Sequence, residues 1–340
     1  MKQSKYPFPK IDLHLHLDGA ISPKTLMELA AERNVGPKVV SLDRFIPFVV
    51  VDPNCRSVNE YLEKFELPVG ILQDGEALFR AAEELVERLD RESLAYAEIR
   101  FAPQLHTRKS MDQTDAVKAV LDGMRSGEQG RSIETNLILC AMSLGGAEAN
   151  RDANLETVEL AGQMRFCGVA GVDLAGAEGL CELSDFGYIF ELAGELSLDY
   201  TCHAGDSQGP ETVRTAISDF GSRRIGHGHH IFEDEDLCTL AKEKKAALEI
   251  CLTSNIQCAT RRSYAAHPAK KLLDMGLNVT LNTDNPVIAG ISLESEYDIA
   301  TTQAGFTEKD LVLVNINSAR AAFLPEQKKL GLIKRLEAFL

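Results

Sequence analysis

The stretch Ile11-Asp12-Leu13-His14-Leu15-His16-Leu17-Asp18-Gly19-Ala20 alternates apolar and polar side chains at a period of two, the pattern of a buried β-strand. Residues i and i+2 of a strand project to one side, so His14 and His16 point together near its end. Two neutral imidazoles side by side make half of a metal site. Zinc takes nitrogen and carboxylate ligands and keeps a position open when it is catalytic. The pair equally suits two satisfied core histidines, and the rest of the chain has to decide.

Three further apolar runs end on the same kinds of residue. Leu198 to Gly205 (L-D-Y-T-C-H-A-G) closes on His203, Arg224 to Gly228 lodges His227 between glycines, and Leu277 to Asp284 alternates until it ends on a carboxylate. A neighbouring glycine lets the backbone turn tightly and a ligand come close. Four strands thus deliver four histidines and an aspartate at or just past their C-terminal ends. A barrel of parallel strands gathers its chemistry at that face.

Working outward, strand patterns recur at 94–101, 134–142, 169–175, 197–203, 223–228, 246–252 and 278–283, which with the first makes eight. Helical patterns separate them, and this alternation predicts an α/β protein, a (β/α)8 barrel. A long, mainly helical stretch follows the first strand over 23–90, opened by a Ser22 cap and Pro23 in the first turn. Within it, the apolar run 45–53 is broken by proline and reads as a loop or packed lid, with core packing and a substrate-facing role both open. Helices over 309–323 and 326–339 flank the barrel. No repeat, low-complexity tract or linker divides the chain, so residues 1–340 read as a single domain.

Composition narrows the function. The 340 residues carry 36 Lys and Arg against 51 Asp and Glu, a net charge of −15 that repels phosphate backbones and disfavours nucleic acid. A neutral small molecule fits best. No apolar run is long enough to span a membrane, and the N-terminus lacks the apolar core of a signal peptide. The eight cysteines show no C-x-x-C pairing and read as free thiols of a reducing compartment. A cytoplasmic location follows as the expectation; monomer and homo-oligomer both stay open.

With His14, His16, His203 and Asp284 as ligands, a bound zinc lowers the pKa of its water to about 7. His227 is placed to hold and orient that water. Asp206, in His203-Ala204-Gly205-Asp206, can reach a substrate from the same loop and deliver a proton to a ring nitrogen. The alternative for Asp206 is a helix N-cap ahead of Pro210.

The motifs H-L-H-L-D-G-A, D-L-A-G, H-A-G, G-H-G, T-S-N and N-T-D occur in that order, and from Ile11 to about Leu324 the chain resembles the adenosine deaminase family of the amidohydrolase superfamily. The resemblance implies one Zn2+ per chain in a (β/α)8 barrel that hydrolyses the 6-amino group of adenosine and 2′-deoxyadenosine, releasing ammonia, in purine metabolism. It implies His14, His16, His203 and Asp284 as zinc ligands, His227 as the water-orienting histidine and Asp18 at the ribose 5′-hydroxyl. Gly176 is implied to present its backbone N–H to the purine, with His16 also facing substrate. Two positions depart from the family's commonest pattern. Asp206 replaces a glutamate and is one methylene shorter; Asn285 replaces an aspartate, although its amide can still donate to the purine N7. Asp18 followed by Gly19 resembles the nucleoside enzymes more than those acting on free adenine. Other readings are deamination of adenine or a 5′-modified adenosine, or an inactive nucleoside-binding member, which only Asp206 favours.

Overall fold

The computed structural model describes residues 5–39 and 41–340. Its strands are β1 (Lys10–His16), β2 (Leu94–Phe101), β3 (Glu134–Met142), β4 (Val169–Ala175), β5 (Asp199–Tyr200), β6 (Cys202–Ala204), β7 (Arg224–His227), β8 (Ala247–Ile250) and β9 (Asn278–Leu281). They pair in parallel in chain order, β1 to β5 in one sheet and β6 to β9 in another. β5 and β6 are one barrel strand interrupted at Thr201, whose N–H still donates to Val172 O at 3.0 Å. The other seam closes where Asp284 N donates to His14 O at 2.7 Å and His16 N to Asp284 O at 2.8 Å. Eight strand positions therefore close a (β/α)8 barrel, and residues of the motif-bearing strand ends make the closing bonds.

Every strand but the two-residue β5 is buried on both sides along most of its length, as parallel strands wrapped in helices must be. In β1, Ile11, Leu13 and Leu15 pack in the main core while Asp12 and His14 are equally buried. The helices follow the expected pattern. Ser22 caps Pro23–Arg33 by accepting from Thr25 N, Asp74 caps Gly75–Arg91, and Asp234 caps Glu235–Lys244 by accepting from Leu237 N.

Two expectations need correction. The run 45–53 is not a loop throughout: 45–49 completes the helix Leu42–Val49, which buries Phe45 and Val49 with Pro47 inside it, and only 50–53 is irregular. Proline removes only one backbone N–H, and a strong apolar stripe outweighs that loss in so short a helix. Its role is packing, since residues 58–69, not 45–53, reach the central cavity. The strand expected over 246–252 stops at Ile250, and Leu252–Gln257 turns into a helix beneath that cavity. Among the described residues no helix is long and apolar enough to cross a membrane.

Glu296, fully buried in the first turn of Leu293–Gln303, accepts from the Thr253 N–H and hydroxyl. Burial pushes its carboxyl up to about 7 despite those donors. A folded-state pKa above the unfolded value means that folding takes up a proton. This stabilisation is full below about pH 4.5 and is lost as pH rises through about 7. Glu296→Gln is therefore expected to flatten the pH dependence of stability and to unfold at higher urea than wild type at pH 8. Urea titrations at pH 5 and pH 8 on both proteins check this; a wild-type advantage at pH 8 would refute it.

Candidate active site

His14 and His16 leave the end of β1 with their ring centroids 5.3 Å apart, and His14 lies 4.6 Å from His203 and 4.9 Å from His227. His14, His16 and Asp284 each offer one ligand atom within 4.8 Å of the others, and so do His14, His203 and His227. The Asp284 Oδ1 sits 3.5 Å from His14 Nε2 and 3.4 Å from His16 Nε2. Two ligands about 2.0–2.1 Å from one tetrahedral zinc are about 3.3 Å apart, so these spacings suit such an ion. His14 Nε2 is moreover buried without a hydrogen-bond partner, as a ligand nitrogen awaiting a cation would be. The donor set and its geometry fit zinc.

The tautomers follow from what holds the other ring nitrogens. His14 Nδ1 lies 2.8 Å from a Glu249 carboxylate oxygen and His203 Nδ1 lies 3.0 Å from one of Asp173. A carboxylate only accepts, so both rings carry their proton on Nδ1 and turn an Nε2 lone pair to the centre. Arg100 joins the two carboxylates, donating to Asp173 Oδ2 at 2.8 Å and to Glu249 Oε2 at 2.9 Å. Arg224 donates to Glu249 Oε1 at 2.6 Å and pairs with Glu98. Burial lowers the pKa of His14 and, more strongly, of His16, which keeps both neutral as ligation requires.

A second donor chain ends on His227 and Asp206. The Ala269 backbone N–H can only donate, and it does so to His267 Nδ1 at 3.2 Å. His267 must then donate from Nε2 to Asn255 Oδ1, 3.1 Å away, which makes Asn255 Nδ2 a donor. That amide nitrogen lies 2.6 Å from Asp206 Oδ1 and 3.1 Å from His227 Nδ1. His227 therefore accepts at Nδ1 and holds its proton on Nε2. Burial would raise the Asp206 carboxyl, yet the donors that meet its Oδ1, Asn255 Nδ2 and His229 Nε2, favour its ionised form. Asp206 is no helix cap: Gly209 occupies the N-cap of Pro210–Ser218.

A cavity of about 270 Å3 opens over this cluster. Its lining brings together His16, Asp18, Gly176, His203, Asp206, His227, Asp284 and Asn285, every expected site residue except His14, which lies beneath. The opposite wall is apolar and comes from the helical insert, through Val58, Tyr61, Leu62 and Phe65. Asp18 Oδ1 and Asn285 Oδ1 are buried in this lining without partners, and burial pushes the Asp18 carboxyl up to about 6. Glycine is required at two points. Gly176 sits at φ +122 with a Cβ position 2.4 Å from Ser143 Oγ, and a Cβ on Gly226 would press on the His14 and His203 rings at 3.1 and 3.2 Å.

Several working residues escaped the sequence reading. Glu98, Arg100, Arg224 and Glu249 are legible only as charges inside apolar strands, while Asp173 lies in the D-L-A-G motif and Asn255 in T-S-N, each without a role there. Glu178 gave no signal. Its carboxylate accepts from four successive backbone N–H groups, Gly205 at 2.7, Asp206 at 2.8, Ser207 at 2.7 and Gln208 at 3.1 Å, clamping the loop that carries Asp206.

A parallel barrel with a buried His/Asp cluster at its C-terminal face is the architecture of a metal-dependent hydrolase of the amidohydrolase type. The family model described as adenosine deaminase matches residues 9–339, and the chain belongs to the adenosine deaminase family. An adenosine deaminase of Haemophilus ducreyi is 41% identical over 331 residues, 96% of this chain and 95% of that protein. Among solved structures, an N6-mAMP deaminase of Arabidopsis superposes with a TM-score of 0.83 at 28% identity, covering 97% of this chain and 98% of the other. An adenine deaminase of Arthrobacter aurescens shares the fold with a TM-score of 0.88 at 23% identity, with the same coverage.

Glu178→Gln puts an amide among four N–H donors and should free the loop without touching the barrel core. Turnover is expected to fall about tenfold or more, since misplacement near 1 Å can cost ~10²-fold. Steady-state kinetics beside bound-metal analysis checks this, and wild-type kcat would rule it out.

Proposed function

We propose that this enzyme deaminates adenosine and 2′-deoxyadenosine to inosine and 2′-deoxyinosine, with one Zn2+ held by His14, His16, His203 and Asp284. The observation that carries the nucleoside reading is the cavity lining. Two buried acceptor oxygens there, Asp18 Oδ1 and Asn285 Oδ1, lack partners and await donors on a ligand, such as a ribose hydroxyl or an exocyclic amine. No lysine or arginine is among the lining residues, whereas Asp18, Glu178, Asp206 and Asp284 are. Four carboxylates and no cation disfavour a 5′-phosphate, so the 5′-phosphorylated substrate class of the Arabidopsis neighbour fits this wall poorly. The eight free cysteines support the cytoplasmic location, and the family match running across residues 9–339 supports one domain.

Zinc bound at this cluster supplies a Lewis acid and an acidified water. The chain's own residues do the rest. His227 orients the attacking water and accepts at Nδ1 from Asn255. The Asp206 carboxylate takes a proton from that water and hands it to the purine N1 as oxygen adds to C6. Asn285 donates through its amide to N7, and Gly176 through its N–H to N3. Asp18 holds the 5′-hydroxyl. The hydroxyl now on C6 then gives its proton to the amino group, the C6–N bond breaks as C6=O forms, and ammonia leaves with water's oxygen retained in the product.

Zinc-replete protein should turn over adenosine and deoxyadenosine at least about tenfold better than adenine, as one lost buried polar contact allows, and should leave AMP and N6-methyl-AMP untouched. Absorbance assays across these compounds test this; a kcat/KM for adenine or N6-methyl-AMP at or above that for adenosine would reject it.

His227→Ala and Asp206→Asn should each retain one zinc per chain while losing turnover by ~10²-fold or more. Elemental analysis with kinetics separates the roles: zinc lost in step with activity would make His227 a ligand, and near wild-type turnover in Asp206→Asn would move the proton transfer elsewhere.

A further inference from the structure

The Asp206 carboxylate has a second neighbour chain that deamination by itself does not explain. His229, fully buried just beyond β7, places Nε2 at 3.2 Å from Asp206 Oδ1. Its other ring nitrogen, Nδ1, lies 2.8 Å from Arg261 Nε. A guanidinium N–H only donates. His229 Nδ1 must therefore accept and its proton must sit on Nε2, which faces Asp206 Oδ1 at 3.2 Å and Thr260 Oγ1 at 3.3 Å; the anionic carboxylate is the stronger acceptor. Arg261 is itself held in place, with Nη2 at 3.3 Å from both His229 O and Glu233 Oε1.

Three donors now converge on one oxygen. Asn255 Nδ2 at 2.6 Å, Thr260 Oγ1 at 3.1 Å and His229 Nε2 at 3.2 Å all meet Oδ1 of Asp206, and none of them meets Oδ2. The carboxylate is thus pinned by one oxygen while its residue lines the cavity. An aspartate has little length with which to find a substrate, so its aim depends on what fixes Oδ1.

We propose that His229 and Arg261 form a tautomer-locked positioning pair that aims the free Oδ2 of Asp206 at the substrate ring. This rests on the deaminase reading of the site, in which Asp206 touches substrate and His229 acts through it. Arg261 sets the direction of the hydrogen bond: with a neutral acceptor in its place, His229 could turn its lone pair to Asp206 and repel it. A merely space-filling His229 would need neither a fixed tautomer nor a donor at Nε2.

The test has a spectroscopic and a kinetic arm on the zinc-replete, full-length protein. In the 15N spectrum of histidine-labelled enzyme, the signal absent from His229→Gln identifies His229. It should show a protonated Nε2 and a bare Nδ1, and Arg261→Leu should abolish that single tautomer. For adenosine, His229→Leu should lower kcat about 10- to 100-fold, the range for a residue that orients another, with KM and zinc content unchanged. His229→Gln should recover most of kcat, because its amide N–H can donate in place of Nε2. A protonated Nδ1 in the wild type, wild-type kcat in His229→Leu, or no recovery in His229→Gln relative to His229→Leu would each overturn the pair's role. Wild-type protein inert on every aminopurine would instead overturn the deaminase reading, and the tautomer measurement would still judge the Arg261 lock.

Discussion

Everything at the centre of this barrel depends on a buried ladder of charge in which Glu98, Arg224, Glu249, Arg100 and Asp173 alternate in sign across four strands. All five side chains are withdrawn from water. Taking charge out of water is costly, and removing one partner of such a pair typically destabilises by about 3–5 kcal/mol because its counterpart is left bare. The ladder earns its place through specificity: its central carboxylate, Glu249, and its terminal one, Asp173, decide which nitrogen of His14 and of His203 carries the proton. Those rings can bind a cation only because their other faces are already engaged.

The backbone contributes as much as the side chains. His227 and Asp284 both adopt left-handed conformations, at φ 62 and 59, although neither is glycine. Such residues are held against their preference by about 1 kcal/mol or more, and cluster where function demands it. Here the reason is visible: each sits where a strand must stop abruptly to aim its side chain at the axis. Asp284 also closes the barrel through its own N–H and C=O to His14 and His16. The backbone bonds that close the fold therefore join residues of the His/Asp cluster itself.

The cavity divides its labour by origin. Strand ends contribute the polar floor, where rigidity keeps reacting groups in register, and the helical insert after β1 contributes the apolar wall that covers them. Carboxylates without cations on that floor leave an environment suited to a neutral, hydrogen-bonding ring system and hostile to phosphate. Two donor chains run beneath it, one from the Ala269 N–H and one from Arg261, and each starts on a group that cannot reverse its direction. Hydrogen-bond polarity is thereby imposed from outside the site.

The sequence by itself determined the barrel, most of its strands to within a residue or two, and the identity of the clustered histidines and aspartate. Those features are local: period-two alternation, glycine at strand ends and short motifs survive in one dimension. It also carried Asp18, Gly176 and Asn285 to the cavity through the family resemblance. Tertiary structure decided what no local pattern encodes. Pro47 could be absorbed into a helix because Phe45 and Val49 found a core to fill. The strand after Ala247 became a helix at Leu252, which is what brings Asn255 under the site. The tautomers of His14, His203, His227 and His229 were set by Glu249, Asp173, Asn255 and Arg261, residues between 28 and 235 positions away along the chain. A proton's place on an imidazole depends on which group stands opposite it, and only folding chooses that group.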